Sequence, residues 1–365
     1  MNLTKKALCI LLIMAIVLSG PCVYALDSAA IQPVLDDTAK YIYTTVSQPT
    51  LGSMGGEWAV FGLARSGYTI PDSYFADYYR RIEEYVISSN GVLNQRKFTE
   101  YARLIVALTS IGKDPTNVAG YNLLTPLGDY ESTTRQGING AIWALIALDC
   151  KGYQMPVNPS AKTQATRDMY IEYILSRQLD SGGFTLRFTG PDAQADVDVT
   201  AMVIQALSKH LYRSDIKDAT DKALSCISAM QSENGGFSYL GIDNSESCIQ
   251  AIVALCEMGI SIDDPRFVKN GNTLWDNLLS YYSIGNGFSH NIGMQSNIMA
   301  SEQGLYALAA LERFANGKSS LYNMNDEHIG QTEPATELKE KQINMDLLVK
   351  IISQCLNYKS LFIQR

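Results

Sequence analysis

Histidine is scarce in this 365-residue chain: only His210, His290 and His328 are present. A structural zinc site of the Cys/His type is therefore not expected, and neither a metal nor another cofactor is assigned. Positive charge is also in short supply. Charged residues make up 18% of the chain, net charge is −8 and the pI is about 5.0. That balance argues against nucleic acid and an anionic membrane surface as partners. Cysteine is present without a pattern. Cys9 and Cys22 fall in the first 25 residues, leaving Cys150, Cys226, Cys248, Cys256 and Cys355, an odd number with no paired spacing and so no disulfide framework. Cys226, Cys248 and Cys256 stand in apolar helical stretches and read as small core residues. Beyond the first 25 residues no apolar run reaches the ~18 residues of a membrane span. The Gly-Gly pairs are not followed by Lys, which makes them tight turns and not phosphate cradles.

Residues 1–25 have the organisation of a signal peptide. Lys5 and Lys6 supply positive charge, Ala7 to Leu18 is apolar, and Val23-Tyr24-Ala25 ends the segment with small residues where a signal peptidase reads them. A lipid anchor at Cys22 is disfavoured by Pro21 directly before it. The mature protein is expected to be secreted or held at a cell surface, in a bacterium, with no membrane span once the leader is removed.

What the chain does have is repetition. Gly182-Gly183-Phe184, Gly235-Gly236-Phe237 and Gly287-Phe288 recur at a near-constant interval, each between an amphipathic stretch and a strongly apolar one. Ser214 to Gln231 places Ile216, Ala219, Ala223, Leu224, Ile227 and Met230 on one helical face. Ala141 to Leu148, by contrast, is apolar nearly all round, as befits a helix with neighbours on every side. Outer helices are expected near 28–46, 72–89, 115–124, 163–178, 214–231 and 267–282, and inner helices near 56–66, 97–111, 134–150, 195–210, 245–258 and 297–315. Six alternating pairs with no polar capping repeat favour a closed ring over an open solenoid. The expected architecture is an all-α, α/α toroid of six helical hairpins over 26–317. A polar linker follows over 318–365, with Lys318 to Asn344 as a flexible tether and Asp346 to Phe362 carrying the pattern of one more amphipathic helix.

Aligning the inner helices on Ala107-Leu108, Ala206-Leu207, Ala254-Leu255 and Ala310-Leu311 sets Thr99, Asp198, Glu246 and Glu302 in equivalent positions, with Asn139 in the third pair and Glu57 at the start of the first. In a closed ring these helix starts surround one mouth. Asp, Thr and Asn at such positions are also good N-caps, and first-turn acids gain from the helix dipole, so each alone is adequately explained by helix structure. Together with Trp58, Tyr101, Gln136 and Thr200 they form the candidate ligand-binding ring.

The sharpest motif is Asp196-Val197-Asp198-Val199-Thr200-Ala201-Met202. With the Gly-Gly-Phe turns after Gln178 and Gln231, it resembles the terpene cyclase and protein prenyltransferase toroid superfamily over about residues 28–316. In class II cyclases an acidic motif followed by Thr-Ala supplies the acid that protonates a double bond. The resemblance thus implies Asp198 as general acid and Asp196 as its neighbour, acting on an isoprenoid. Val199 stands where the last Asp of that motif would be, and no His starts the last inner helix, where a prenyltransferase would place a zinc ligand. The stretch Val197 to Met202 is also similar to an element of the intrinsic factor and transcobalamin toroid, found in secreted corrinoid carriers, and to exported bacterial toroids that often carry a β domain. That resemblance implies a non-catalytic ring binding a small ligand, corrinoid-like or other, at its acidic mouth, with a separate β domain as a partner. This exported, non-catalytic binder is the leading expectation. An atypical class II cyclase is one alternative. A secreted carbohydrate-active enzyme, with Asp198 and Glu246 as its pair of carboxyl groups, is another.

Overall fold

The computed structural model describes residues 26–187, 193–239 and 241–329. The leader, Cys355 and the expected helix over 346–362 lie outside the described residues. The chain alternates outer and inner helices. The outer set comprises α1 (Ser28–Thr45), α3 (Asp72–Ser88), α7 (Arg167–Leu175), α9 (Ser214–Met230) and the short α5 (Tyr130–Thr134) and α11 (Leu274–Leu279). The inner set is α2 (Trp58–Ser66), α4 (Thr99–Ser110), α6 (Ile138–Asp149), α8 (Val197–Leu207), α10 (Ser245–Glu257) and α12 (Ile298–Ala315).

The division follows from side-chain pattern. On α3, Tyr74, Tyr78, Ile82 and Val86 are buried while Arg80 pairs with Glu84 one turn on, facing water. On α9, Ile216, Ala223 and Ile227 are buried while Lys217 and Asp221 pair outside. On α6 and α10 nearly every residue is buried, so these helices must be surrounded. Each inner helix packs on the next in the order α2, α4, α6, α8, α10, α12, and α12 packs back on α2, so the ring is closed. At the seam Asp37 of α1 accepts hydrogen bonds from the Tyr282 hydroxyl (2.5 Å) and the Gly285 N–H (2.7 Å). The second acid of the Asp36-Asp37 pair thus contributes to closure. Two two-residue hairpins, β1 (Ser238–Tyr239) with β2 (Ile242–Asp243) and β3 (Tyr282–Ser283) with β4 (Gly287–Phe288), lead into the last two inner helices.

Two outer helices differ from expectation. Residues 115–124 form no helix: Val118 and Tyr121 bridge a tight turn in which Ala119 and Gly120 both have positive φ, and a 3₁₀ turn (Thr125–Gly128) and α5 follow. Residues 267–282 repeat the device, with Asn270 and Gly271 at positive φ between Lys269 and Asn272, and only α11 remains helical.

The expected tether is also partly corrected. Residues 318–329 fold across the C-terminal ends of the inner helices, where Leu321, Tyr322 and Met324 are buried. Cations at those helix ends, favourably placed against the helix dipoles, hold the segment by its carbonyl groups. Arg65 donates to the carbonyls of Ser320, Leu321 and Asn323 and pairs with Asp326 and Glu327. Lys151 reaches those of Met324 and Glu327, and Lys209 that of Tyr322. Half-buried Glu257 accepts from the Tyr322 N–H (2.9 Å) and the Ser320 hydroxyl (2.7 Å). Arg313 also pairs with Asp326. Residues 330–344 of the expected tether lie outside the described residues.

Candidate active site

The mouth lies at the opposite end, where a repeated unit builds each late inner helix. Asp196, Asn244 and Asn297 are the N-caps of α8, α10 and α12, and each side-chain oxygen accepts the N–H three residues on at 2.9 Å. Four residues after the first and third caps stand Thr200 and Ser301. Their hydroxyls accept from the N–H of Phe184 (2.9 Å) and Phe288 (2.8 Å) and donate back to the cap carbonyls. The Gly-Phe turns are thereby fastened to the helices. Gly183 must be glycine, since a Cβ there would lie 2.7 Å from Cys226 Sγ. Two residues after the caps stand Asp198, Glu246 and Met299, and four further on Met202, Gln250 and Gln303. All six line one funnel of about 700 Å³.

Asp198 is its most perturbed acid. One carboxylate oxygen is buried without a hydrogen-bond partner. Burial pushes its pKa up to about 6; Asp196 and Glu246 add to the shift, while a hydrogen bond from Ser247 and the charge of His290 oppose it. On the adjacent helix Glu246 pairs through Oε2 with His290 Nδ1 at 2.7 Å, and its Oε1 is buried and unpartnered. His290 is half exposed, and its carbonyl is fixed by the Ser245 N–H at 3.0 Å. Below the acids the wall is amide and hydroxyl: Gln250 Nε2 donates to Tyr306 Oη (2.7 Å) and Gln303 Oε1 (3.3 Å), and Gln205 bonds Gln250. The floor is aromatic. Trp58 lies 5.1 Å from Trp143 and 5.8 Å from Tyr306 between ring centroids, and beneath them Tyr322 stacks on Phe61 at 5.4 Å.

The structure brings Trp58, Asp196, Asp198 and Glu246 of the expected ring together. Asp196 does so as the cap of α8, so its carboxylate is engaged by the backbone. The others are placed elsewhere. Glu57 is fully buried, accepting from the Gly52 N–H and pairing with Arg103 at 2.8 Å. Thr200 is spent on the Phe184 turn, and Tyr101 is buried with its hydroxyl accepting from the Leu93 N–H. Gln136 caps Thr99 at the edge of a separate cavity, and Asn139, half-buried with its oxygen unpartnered, does not line the funnel. Glu302 is the register error. The true counterpart of Ala206-Leu207 is Ala307-Leu308, which puts Met299 in the acid position. Glu302, three residues on, turns toward the Ser53–Glu57 loop, where it accepts from the Gly55 N–H at 2.8 Å. Burial and the neighbouring Glu57 push its pKa up to about 8. Sequence reasoning missed His290, Trp143, Gln250, Gln303 and Tyr306. Trp143, Gln250 and Gln303 were accessible through the spacing of four from the acid layer, and Tyr306 lies one turn beyond Gln303; His290, on the loop after β4, was not. Among the described residues no group of three or more His, Cys, Asp or Glu could hold a metal ion, and no helix is long and apolar enough to cross a membrane.

A closed ring of six inner helices with an acid-lined funnel at their N-terminal ends defines an α/α toroid. Residues 171–283, less than half of the chain, match the family model of the squalene-hopene cyclase C-terminal domain, in line with the toroid resemblance read from the sequence. No curated protein matches in sequence. Among solved structures, the chain is similar to UGL in complex with dGlcA-Glc-Rha-Glc (12% identity, TM-score 0.51, covering 80% of this chain and 98% of that one). It is also similar to the unsaturated glucuronyl hydrolase responsible for the degradation of glycosaminoglycan from Bacillus sp. GL1 (13% identity, TM-score 0.49, covering 81% and 98%). At this identity the likeness is one of fold. The comparisons run to enzymes, a cyclase family model and the UGL structure, and the expected non-catalytic, corrinoid-like carrier is corrected on that finding.

Proposed function

We propose that the protein is an exported carbohydrate-active hydrolase that cleaves a glycosidic bond in the funnel. The observation that carries this reading is the pairing of Asp198 with the Glu246–His290 couple across one polar-walled, aromatic-floored cavity. A sugar offers hydroxyl groups on its rim and apolar C–H faces. The wall of Asn244, Ser247, Gln250 and Gln303 suits the first, and the Trp58 and Trp143 rings suit the second. Glycoside hydrolysis needs one carboxylic acid to protonate the leaving oxygen and one carboxylate to activate water or attack the sugar. Asp198, protonated below about pH 6, takes the acid role. Glu246, oriented by His290, takes the other. The test is release of reducing sugar from a panel of oligosaccharides by the mature chain. Asp198→Asn and Glu246→Gln are each expected to lower kcat by ~10²–10⁴-fold. Full activity in either variant would reject the assignment.

A second reading, acid-initiated cyclisation of an isoprenoid by Asp198, is favoured by the aromatic floor, whose faces stabilise cations, and by the family match that includes the Asp198 segment. The amide-rich wall is poorly suited to a hydrocarbon. Cyclised product from a polyprenyl substrate, lost in Asp198→Asn, would establish this reading over the first.

A further inference from the structure

The mouth has a second lobe that the reaction proposed above does not use. A cavity of about 960 Å³ opens at the starts of the early inner helices, lined by the loop 50–53, Arg81, Glu84, Tyr85 and Ser88 of α3, and Lys97, Thr99, Glu100, Arg103 and Gln136. Its charge is opposite in character to that of the funnel. Arg103 is held by the fully buried Glu57 through Nε alone (2.8 Å), and its terminal nitrogens have no hydrogen-bond acceptor among the described residues. Arg81 spends Nε on the Pro49 carbonyl at 2.9 Å, and Lys97 has no ion pair among the described residues. The two acids that share the lobe are engaged elsewhere: Glu84 pairs with Arg80 at 3.0 Å and Glu100 accepts from Asn94 at 3.2 Å. Three cations with unspent donors therefore line one cavity in a protein whose net charge is −8. Arginine donors in particular suit a planar carboxylate or a sulfate.

We propose that this lobe is an anion-binding subsite that holds a carboxylate or sulfate group of an acidic oligosaccharide. The inference rests on the hydrolase reading and names its substrate class. Arg103 occupies on α4 the position that Met202 occupies on α8, so the two lobes belong to one ring. Helices α4 and α8 stand two steps apart around it, roughly 15–18 Å at ordinary helix spacing. One molecule that reaches both lobes is an oligomer of several sugars, anionic at the end away from the bond that is cleaved.

The experiment is calorimetric titration of the full mature chain carrying Asp198→Asn, which prevents turnover. The probes are a galacturonic acid hexasaccharide, a sulfated heparin hexasaccharide and a neutral glucose hexasaccharide. At least one acidic probe is expected to bind ~10-fold or more tightly than the neutral one, and to weaken as salt rises from roughly 0.05 to 0.5 M. Which acidic probe binds tells carboxylate from sulfate. Adding Arg81→Gln with Lys97→Gln should weaken that probe by a further ~10-fold, with the unfolding midpoint as the check that the variant is folded. Equal binding of neutral and acidic probes, no binding of either acidic probe, or a folded double variant that binds the acid unchanged would each overturn the inference. Absence of glycan cleavage by the wild type is a separate result, and would count against the hydrolase reading alone.

Discussion

Replacing Asp198 by Asn should stabilise the protein at neutral pH while abolishing its chemistry. The carboxyl titrates near 3.8 in an unfolded chain and is pushed up to about 6 in the fold, chiefly by burial. The folded state therefore holds the extra proton between about pH 4 and pH 6, and the stability this group contributes falls as pH rises through that window. Above pH 6 the accumulated cost is about 3 kcal/mol at ~1.36 kcal/mol per pH unit. Access of funnel water to the side chain reduces this to roughly 1–2 kcal/mol. Asparagine keeps the shape and can still accept from Ser247, but it carries no charge. Urea unfolding followed by tryptophan fluorescence at intervals from pH 4 to 8 measures the effect. The difference between variant and wild type should be near zero at pH 4 and reach about 1–2 kcal/mol in favour of the variant at pH 8. Subtracting the curves cancels the titrating groups that do not couple to Asp198, Glu302 included. A difference that does not change with pH, or a wild type more stable than the variant at pH 8, would refute the placement of Asp198 as a desolvated acid.

On the proposed hydrolase reading the same proton sets the rate: kcat/KM on a cleaved oligosaccharide should fall tenfold per pH unit above about pH 6, and a profile flat to pH 8 would remove Asp198 as the acid. Glu302, pushed up to about 8, has the same sign, so stability is lost as pH rises from about 4.5 to 8; Glu302→Gln should recover about 2–4 kcal/mol at pH 8.5, read by denaturant midpoint, with no loss of turnover. Tyr322→Ala removes a ring stacked on Phe61 and packed against Trp143, and should cost ~3–5 kcal/mol in unfolding free energy. A cost under ~1 kcal/mol would mean that residues 318–329 do not bind the ring as described.

The ring was legible in the sequence because its inner helices have no face to give to water, and because Gln178 and Gln231 with their Gly-Gly-Phe turns repeat a complete local device. Each Gln amide donates to the carbonyl of the first turn glycine and to one in the next outer segment: Gln178 to Gly182 and Ala219, Gln231 to Gly235 and Phe267. What failed was register and what came from outside the helical frame. On α12 Ala-Leu occurs at 307–308 and at 310–311, a choice that apolar pattern cannot make; the Asn297 cap makes it. Turns at Ala119-Gly120 and Asn270-Gly271 broke helices whose apolar spacing looked sound. His290 reaches Glu246 from a loop whose course depends on the β3–β4 hairpin. Residues 318–329 read as polar because their attachment runs through backbone carbonyls taken by Arg65, Lys151 and Lys209, and bonding of that kind leaves no trace in residue type.

That last segment decides the traffic through the molecule. A ring open at both ends is a bead through which a polymer can thread. With Leu321, Tyr322 and Met324 stoppering the far side, this one is a cup with a single door. A polymer can meet the funnel only by its tip, and must back out before the next can arrive.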